Sequence, residues 1–283
     1  MIADRRERLS KLQAQKEREK VWFALLLAAV AGTVDAVGYL LLLHLFTAHM
    51  SGNSVAMGLS VGQMQWQTVL LRAVPIPLFV FGVALGTAVI EVAIRQGVRS
   101  SFSIVLSMEA LLLIIFIASG GSFIHNGVIR VDWQFYLLVA LLTLSMGLQT
   151  ATLQRVGGSS VRTTYVTGML TDLSQESVKY LFWLHDHTRG RTMQRIRKVL
   201  RLWPRHTSLN RAMLLSGIWC CYVCGAIWGG YAELRWELGS LGIPLCILVG
   251  IIVLDLIQPI YTPPKTVVKT RLLGSNKPPE TSF

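Results

Sequence analysis

Charge is what this chain has least of. Of its 283 residues, 15% are Asp, Glu, Lys or Arg, against roughly 25% in an average soluble domain. With 52% of the residues hydrophobic, that deficit excludes a soluble globule, a disordered chain and a coiled coil. Cysteine is scarce too. The four present (Cys220, Cys221, Cys224 and Cys246) all lie inside apolar stretches, so a disulfide scaffold is excluded and they read as small packing residues. Cys220 and Cys224 stand four apart, but no His or acid in that segment completes a metal site. Also missing are a P-loop, a Gly-x-Ser-x-Gly elbow, a His-Glu-x-x-His pair and a paired Cys motif. An ATP-driven pump would need a separate subunit. No nucleophile–base pair supports an intramembrane enzyme, so no enzymatic activity, cofactor or metal is expected.

What is present are long apolar runs with the charges between them. Six are of membrane-crossing length, at about 21–46, 68–93, 102–119, 133–153, 212–231 and 241–260, since some twenty apolar residues cross the hydrocarbon as a helix. The ten-residue alternation of a membrane barrel is absent. Of the 27 Lys and Arg residues, 24 lie in the N-terminal tail, the 94–101 and 154–211 connections and the C-terminal tail; only Arg72, Arg130 and Arg235 fall on the other side. This asymmetry places both termini in the cytoplasm. It also gives the net charge of +12 a membrane explanation, so nucleic acid is not expected as a partner. The first run is too long for a cleavable signal and lacks a convincing cleavage site. The organisation expected is a basic tail at 1–20, a three-span unit at 21–131, a second at 132–260 and a C-terminal tail at 261–283.

The two units repeat each other. Ala31-Gly32 opens AGTVDA, and Met50-Ser51-Gly52-Asn53 follows. Met146-Gly147 opens MGLQTA, and Val166-Thr167-Gly168-Met169 follows, about 115 positions later in both cases. The next spans open Arg72-Ala73 and Arg211-Ala212, carry Gly82 with Gly86 and Gly225 with Gly229, and reach an acid at Glu91 and Glu233. Three spans per unit is odd, so the copies face opposite ways, an arrangement found in many transporters. The fold class expected is therefore all-α transmembrane, a six-helix bundle of two inverted three-helix repeats. The glycine pairs let helix backbones approach closely in lipid, which predicts packing by Gly82, Gly86, Gly225 and Gly229 at the heart of the bundle.

Polar groups at membrane depth are costly and mark functional candidates. Asp35 is the foremost, near the middle of the first run, between Gly32 and Gly38. A helix loosened there beside a carboxylate can hold a cation or relay a proton; the structural alternative is a carboxylate accepting hydrogen bonds from backbone or a neighbouring helix. Gln149 or Thr150 is its counterpart. Glu109, mid-span in the third helix, is the second candidate; Asp255 and Glu91 lie nearer the cytoplasmic ends, where snorkelling or Arg pairing explains them. The linkers His49–Ser54 and Thr167–Asp172 each combine a hydroxyl and a glycine ahead of helix-like sequence, so two opposed half-helices entering from opposite faces are expected, with ordinary capped loops as the alternative. His49 by itself reads as an interfacial residue.

AGTVDA, FTAHMSGNSVAMG, MGLQTATLQRVGG and VRTTYVTGMLTDL resemble the YoaK family of bacterial membrane proteins over about residues 20–260. The resemblance implies a six-span protein of the bacterial cytoplasmic membrane, and no activity. Its signature falls on Asp35, Gly52, Asn53, Gln149, Arg155, Arg162, Thr163, Thr164, Thr167 and Gly168. Thr150 stands where many relatives have Asn, and Met169 also departs from the pattern.

A basic insert at 185–211 places Met193, Ile196, Leu200 and Trp203 at helical spacing among Arg191, Arg195, Arg197, Lys198 and Arg201. That pattern predicts an interfacial helix drawn to anionic lipid headgroups. The functional expectation is a transporter or channel for a small solute or ion, lined by Asp35, Asn53, Gln149 and Thr167, with Glu109 as a further candidate. The alternative is a non-transporting scaffold or anionic-lipid-interacting protein using the basic insert. A homo-oligomer is compatible with either.

Overall fold

A computed structural model describes residues 2–124, 131–156, 166–188 and 207–259. All regular structure among them is helical. In chain order the elements are α1 (Ile2–Leu41), α2 (Met50–Gly62), α3 (Trp66–Ala73), α4 (Pro75–Arg95), α5 (Ser101–Ile124), α6 (Trp133–Val156), α7 (Val166–Thr188), α8 (Thr207–Trp236), a 3-10 turn (Glu237–Leu241) and α9 (Gly242–Ile257). Lipid imposes this economy, because a helix satisfies its backbone polar groups internally.

Five helical stretches are long and apolar enough to cross a membrane: Arg18–Leu41, Trp66–Arg95, Ser101–Gly121, Trp133–Gln154 and Thr207–Ile257. The last joins two of the six runs expected from hydropathy, and the 3-10 turn divides it into α8 and the 16-residue α9. The first run also ends sooner than hydropathy predicts. The helix stops at Leu41, and Leu43 and His44 adopt positive φ. His44 N–H then donates to the Tyr39 carbonyl, and Arg72 Nη1 donates to the His44 carbonyl at 2.6 Å. Asp35 consequently lies within two turns of the end of α1 instead of at mid-span. In the second run α3 gives way to α4 at Pro75, which lacks the N–H needed to continue the ladder.

The packing places α1 and α6 inside. In their apolar windows 67% and 78% of residues are buried, against 22% and 33% in the windows of α3–α4 and α8–α9. The glycine-bearing helices therefore clasp the central pair from outside and do not form the centre themselves. α1 packs most extensively against α8, and α6 against α4. A Cβ at Gly32 would collide with the Tyr222 carbonyl, and one at Gly225 with the Ala29 carbonyl; one at Gly229 would lie 2.8 Å from the Thr33 carbonyl. On the other pair, Cβ atoms at Gly82 and Gly147 would each lie 2.7 Å from a facing carbonyl, of Leu144 and Phe79, while at Gly86 the neighbours are Leu148 and Ala151. Thr33 Oγ1 crosses the first interface to the Gly225 carbonyl at 3.0 Å. The outer faces keep large apolar side chains exposed, among them Phe81, Ile227 and Leu254, as lipid-facing surfaces do.

Asp255 has a structural explanation. It lies in the last turn of α9, 1% exposed, and its Oδ2 accepts from Ser100 Oγ (2.6 Å), Ser103 N (3.1 Å) and Ser103 Oγ (2.7 Å). A carboxylate at the start of α5 caps free amides and complements the helix dipole. Glu91 lies near the end of α4 and accepts from Arg95 Nε at 3.0 Å.

Candidate functional site

The segment Leu42–His49, between α1 and α2, folds back over the end of α1 because Asp35 draws it there. Asp35 Oδ1 accepts from Thr47 N (3.2 Å), Thr47 Oγ1 (2.7 Å) and Ala48 N (3.2 Å). Gly38 leaves the room: a Cβ there would lie 2.8 Å from Thr47 Cγ2. Asn53 in α2 braces the same segment, its Nδ2 donating to the Phe46 carbonyl at 2.7 Å and its Oδ1 accepting from Phe46 N at 3.2 Å.

The other carboxylate oxygen faces a second helix. Oδ2 accepts from the Tyr222 hydroxyl of α8 at 2.7 Å and lies 2.9 Å from His49 Nε2. Nε2 is also 2.7 Å from the Tyr222 oxygen. Tyr222 is positioned by the close α1–α8 contact, since its carbonyl is the atom seated over Gly32. Asp35 is 3% exposed, whereas the His49 side chain is 24% exposed. The result is a buried carboxylate and a half-buried imidazole and phenol in mutual hydrogen-bonding range.

His49 contributes to the walls of two cavities. The first, of about 350 Å³, is lined by His49, Met50 and Ser51 at the start of α2, Phe79 and Val83 of α4, Thr150 and Gln154 of α6, and Val166 and Thr167 at the start of α7. The second, of about 320 Å³, is lined by Asp35, Tyr39, Phe46, His49 and Tyr222 together with small and apolar residues. Such volumes suit small ligands.

The expected site residues divide. Asp35 borders the second cavity and Thr167 the first. Asn53 and Gln149 line neither of these two cavities, because their amides are engaged elsewhere: Asn53 holds Phe46, and Gln149 Nε2 donates to the Leu27 carbonyl at 3.2 Å. Glu109 is fully buried on α5, and among the described residues neither oxygen has a hydrogen-bond partner. It too lines neither cavity. No group of three His, Cys, Asp or Glu able to hold a metal occurs among the described residues. The lipid-binding candidates Arg191, Arg195, Arg197, Lys198 and Arg201 lie outside the described residues, as do the side chains of Arg155, Arg162, Thr163 and Thr164.

Sequence reasoning passed over His49 as interfacial and missed Tyr222. The available signal was positional. Tyr222 precedes Gly225 by three residues, on the face that Gly225 and Gly229 press against α1, so its hydroxyl had to find a polar group on α1.

The comparisons with known proteins agree with a membrane chain of this kind. The chain is 33% identical over 158 residues to the UPF0700 transmembrane protein YoaK of Bacillus subtilis (strain 168), an alignment covering 56% of this chain and 67% of that protein. No solved structure matches. The model of the family described as protein of unknown function DUF1275 matches residues 23–254. This multi-pass membrane protein belongs to the DUF1275 family, in which YoaK is a relative.

Proposed function

We propose that this protein moves a small solute or ion across the bacterial cytoplasmic membrane, both termini facing the cytoplasm, through a site shared by two inverted three-helix halves. α8 and α9 count as separate spans, α9 being about 24 Å long at 1.5 Å per residue. Reciprocal packing supports the two halves: α1 clasps α8 through Gly32, Gly225 and Gly229, while the corresponding α6 clasps α4 through Gly147, Gly82 and Gly86. In this reading α2 and α7 are the half-helices, entering from opposite faces. The insert around Arg191 anchors the cytoplasmic side to anionic lipid.

The observation that carries the proposal is the first cavity. It takes its walls from both halves, the starts of α2 and α7 included, and its wall residue His49 is hydrogen-bonded to a buried carboxylate. A purely structural bundle has no need of a cavity there.

The test is reconstitution of the purified full chain in vesicles with a flux screen across monovalent ions, small carboxylates, amino acids and polyols. The expected outcome is saturable flux of one class in wild type and its reduction by about a hundredfold in Asp35→Asn, the scale at which polar site groups act, with unchanged insertion and elution profile. Equal flux in the folded variant would refute the role of Asp35.

A further inference from the structure

Building on that reading, we propose that the proton is an ion this site carries, with His49 and Asp35 passing it between the two cavities. A carboxylate offers about four acceptor sites. Here Oδ1 takes three donors, two of them backbone or hydroxyl groups of Thr47 and one the Ala48 amide, and Oδ2 takes the Tyr222 hydroxyl while facing His49 Nε2. Thr47, Ala48 and Tyr222 thus each point the positive end of an N–H or O–H bond at the carboxylate, and His49 Nε2 stands beside them. A sodium, potassium or divalent ion seeks a shell of oxygen acceptors, and the donors would repel it. The proton is the cation that this shell accepts, because the cluster already contains a group that binds one reversibly near neutrality, the imidazole.

The geometry also provides a route. His49 borders both cavities and Asp35 borders only the second. In its Nδ1–H tautomer His49 takes a proton at Nε2 from water in the first cavity, forming that N–H bond. The same bond breaks as the proton passes 2.9 Å to Asp35 Oδ2, and the carboxyl then releases it to water in the second cavity. One proton enters and one leaves, the ring is back in its starting tautomer, and no electron changes hands. Tyr222 keeps its proton throughout and holds Oδ2 in line. Among the described residues, the titratable groups facing the cluster are few. Tyr39 of α1 shares the second cavity, His44 stacks edge-on against Tyr39 with ring centroids 4.9 Å apart, and Arg72 is occupied by the His44 carbonyl. From α4, α6 and α7 the first cavity receives Phe79, Val83, Thr150, Gln154, Val166 and Thr167, none of them ionisable. Among the described residues, His49 is thus the one titratable residue lining that cavity.

The experiment uses the full chain in phosphatidylcholine–phosphatidylglycerol vesicles loaded with a pH-sensitive dye, the potential clamped with potassium and valinomycin. An external acid pulse is applied with and without the solutes of the flux screen. Wild type should acidify the lumen well above the protein-free rate, and His49→Gln should lose that excess by about a hundredfold, the usual size of a lost proton-transfer group. A wild-type rate equal to the protein-free rate under all these conditions overturns the proposal. Equal rates in wild type and folded His49→Gln overturn it as well, and if Asp35→Asn still abolishes solute flux, the transport reading survives. Solute flux unaffected by Asp35→Asn sinks both. Should His49→Gln fail to fold, wild type decides alone. In 15N-histidine spectra in nanodiscs, the His49 signal must convert between neutral and imidazolium forms from about pH 8 to pH 5, and a signal fixed over that range contradicts the proposal.

Discussion

Gly225→Leu destabilises the folded protein by about 3 kcal/mol, at the upper end for overpacking a close contact. Even a single carbon at Gly225 would overlap the Ala29 carbonyl of α1, and backbone cannot swing aside as a side chain would. Relief requires α8 to move away from α1. That movement breaks the Thr33–Gly225 hydrogen bond and withdraws Tyr222 from Asp35. Gly230→Leu is the control: it lies on the same helix five residues on, where a Cβ meets nothing within 4 Å, and its expected effect is within about 0.5 kcal/mol. Denaturation in mild detergent, followed by tryptophan fluorescence, measures both. Equal stability of the two variants would show that the glycine face does not set the α1–α8 distance.

Asp35→Ala is expected to cost about 3–5 kcal/mol, the scale for removing one member of a buried polar set. It strands two backbone amides and the Thr47 hydroxyl, buried donors that lose their acceptor, and removes the carboxylate partner of the Tyr222 hydroxyl. Asp35→Asn keeps one oxygen for Thr47 and Ala48 and sets its amide toward His49 and Tyr222, so it should retain more than half of the lost stability. The ordering of wild type, Asn and Ala in the same unfolding assay checks this. An alanine variant as stable as wild type would mean that the carboxylate does not hold the segment between α1 and α2. Because Asn spares the fold and removes the carboxylate's proton chemistry, it is also the variant suited to the flux measurement.

Much of the architecture was legible in the sequence because it rests on one-dimensional signals. Apolar run length marks the spanning stretches, and four-residue glycine spacing marks the faces that meet. Asp35 stood out by cost alone. Other features depend on separations that no local pattern encodes. Leu42, Leu43, Leu45 and Phe46 are apolar, so hydropathy extends the first helix through them; the acceptor at Asp35 ends it by offering Thr47 and Ala48 a better position. His49 reads as a boundary residue until a tyrosine 173 positions away is brought within 2.7 Å of it. Asn53 and Gln149 matched the repeat in sequence, yet their amides serve as clips on Phe46 and Leu27. An amide in a repeated motif thus serves whichever carbonyl packing presents to its N–H.

A pathway shared by the two halves requires the starts of α2 and α7 to converge on one cavity. Ser51 and Thr167 represent the two sides. With Cys220, Cys221, Cys224 and Cys246 replaced, a Ser51→Cys, Thr167→Cys protein in native membranes is treated with a short bifunctional thiol reagent and cut between the two positions. The account predicts that the fragments stay joined. Separate fragments, with both cysteines reacting readily with a monofunctional reagent, would contradict it.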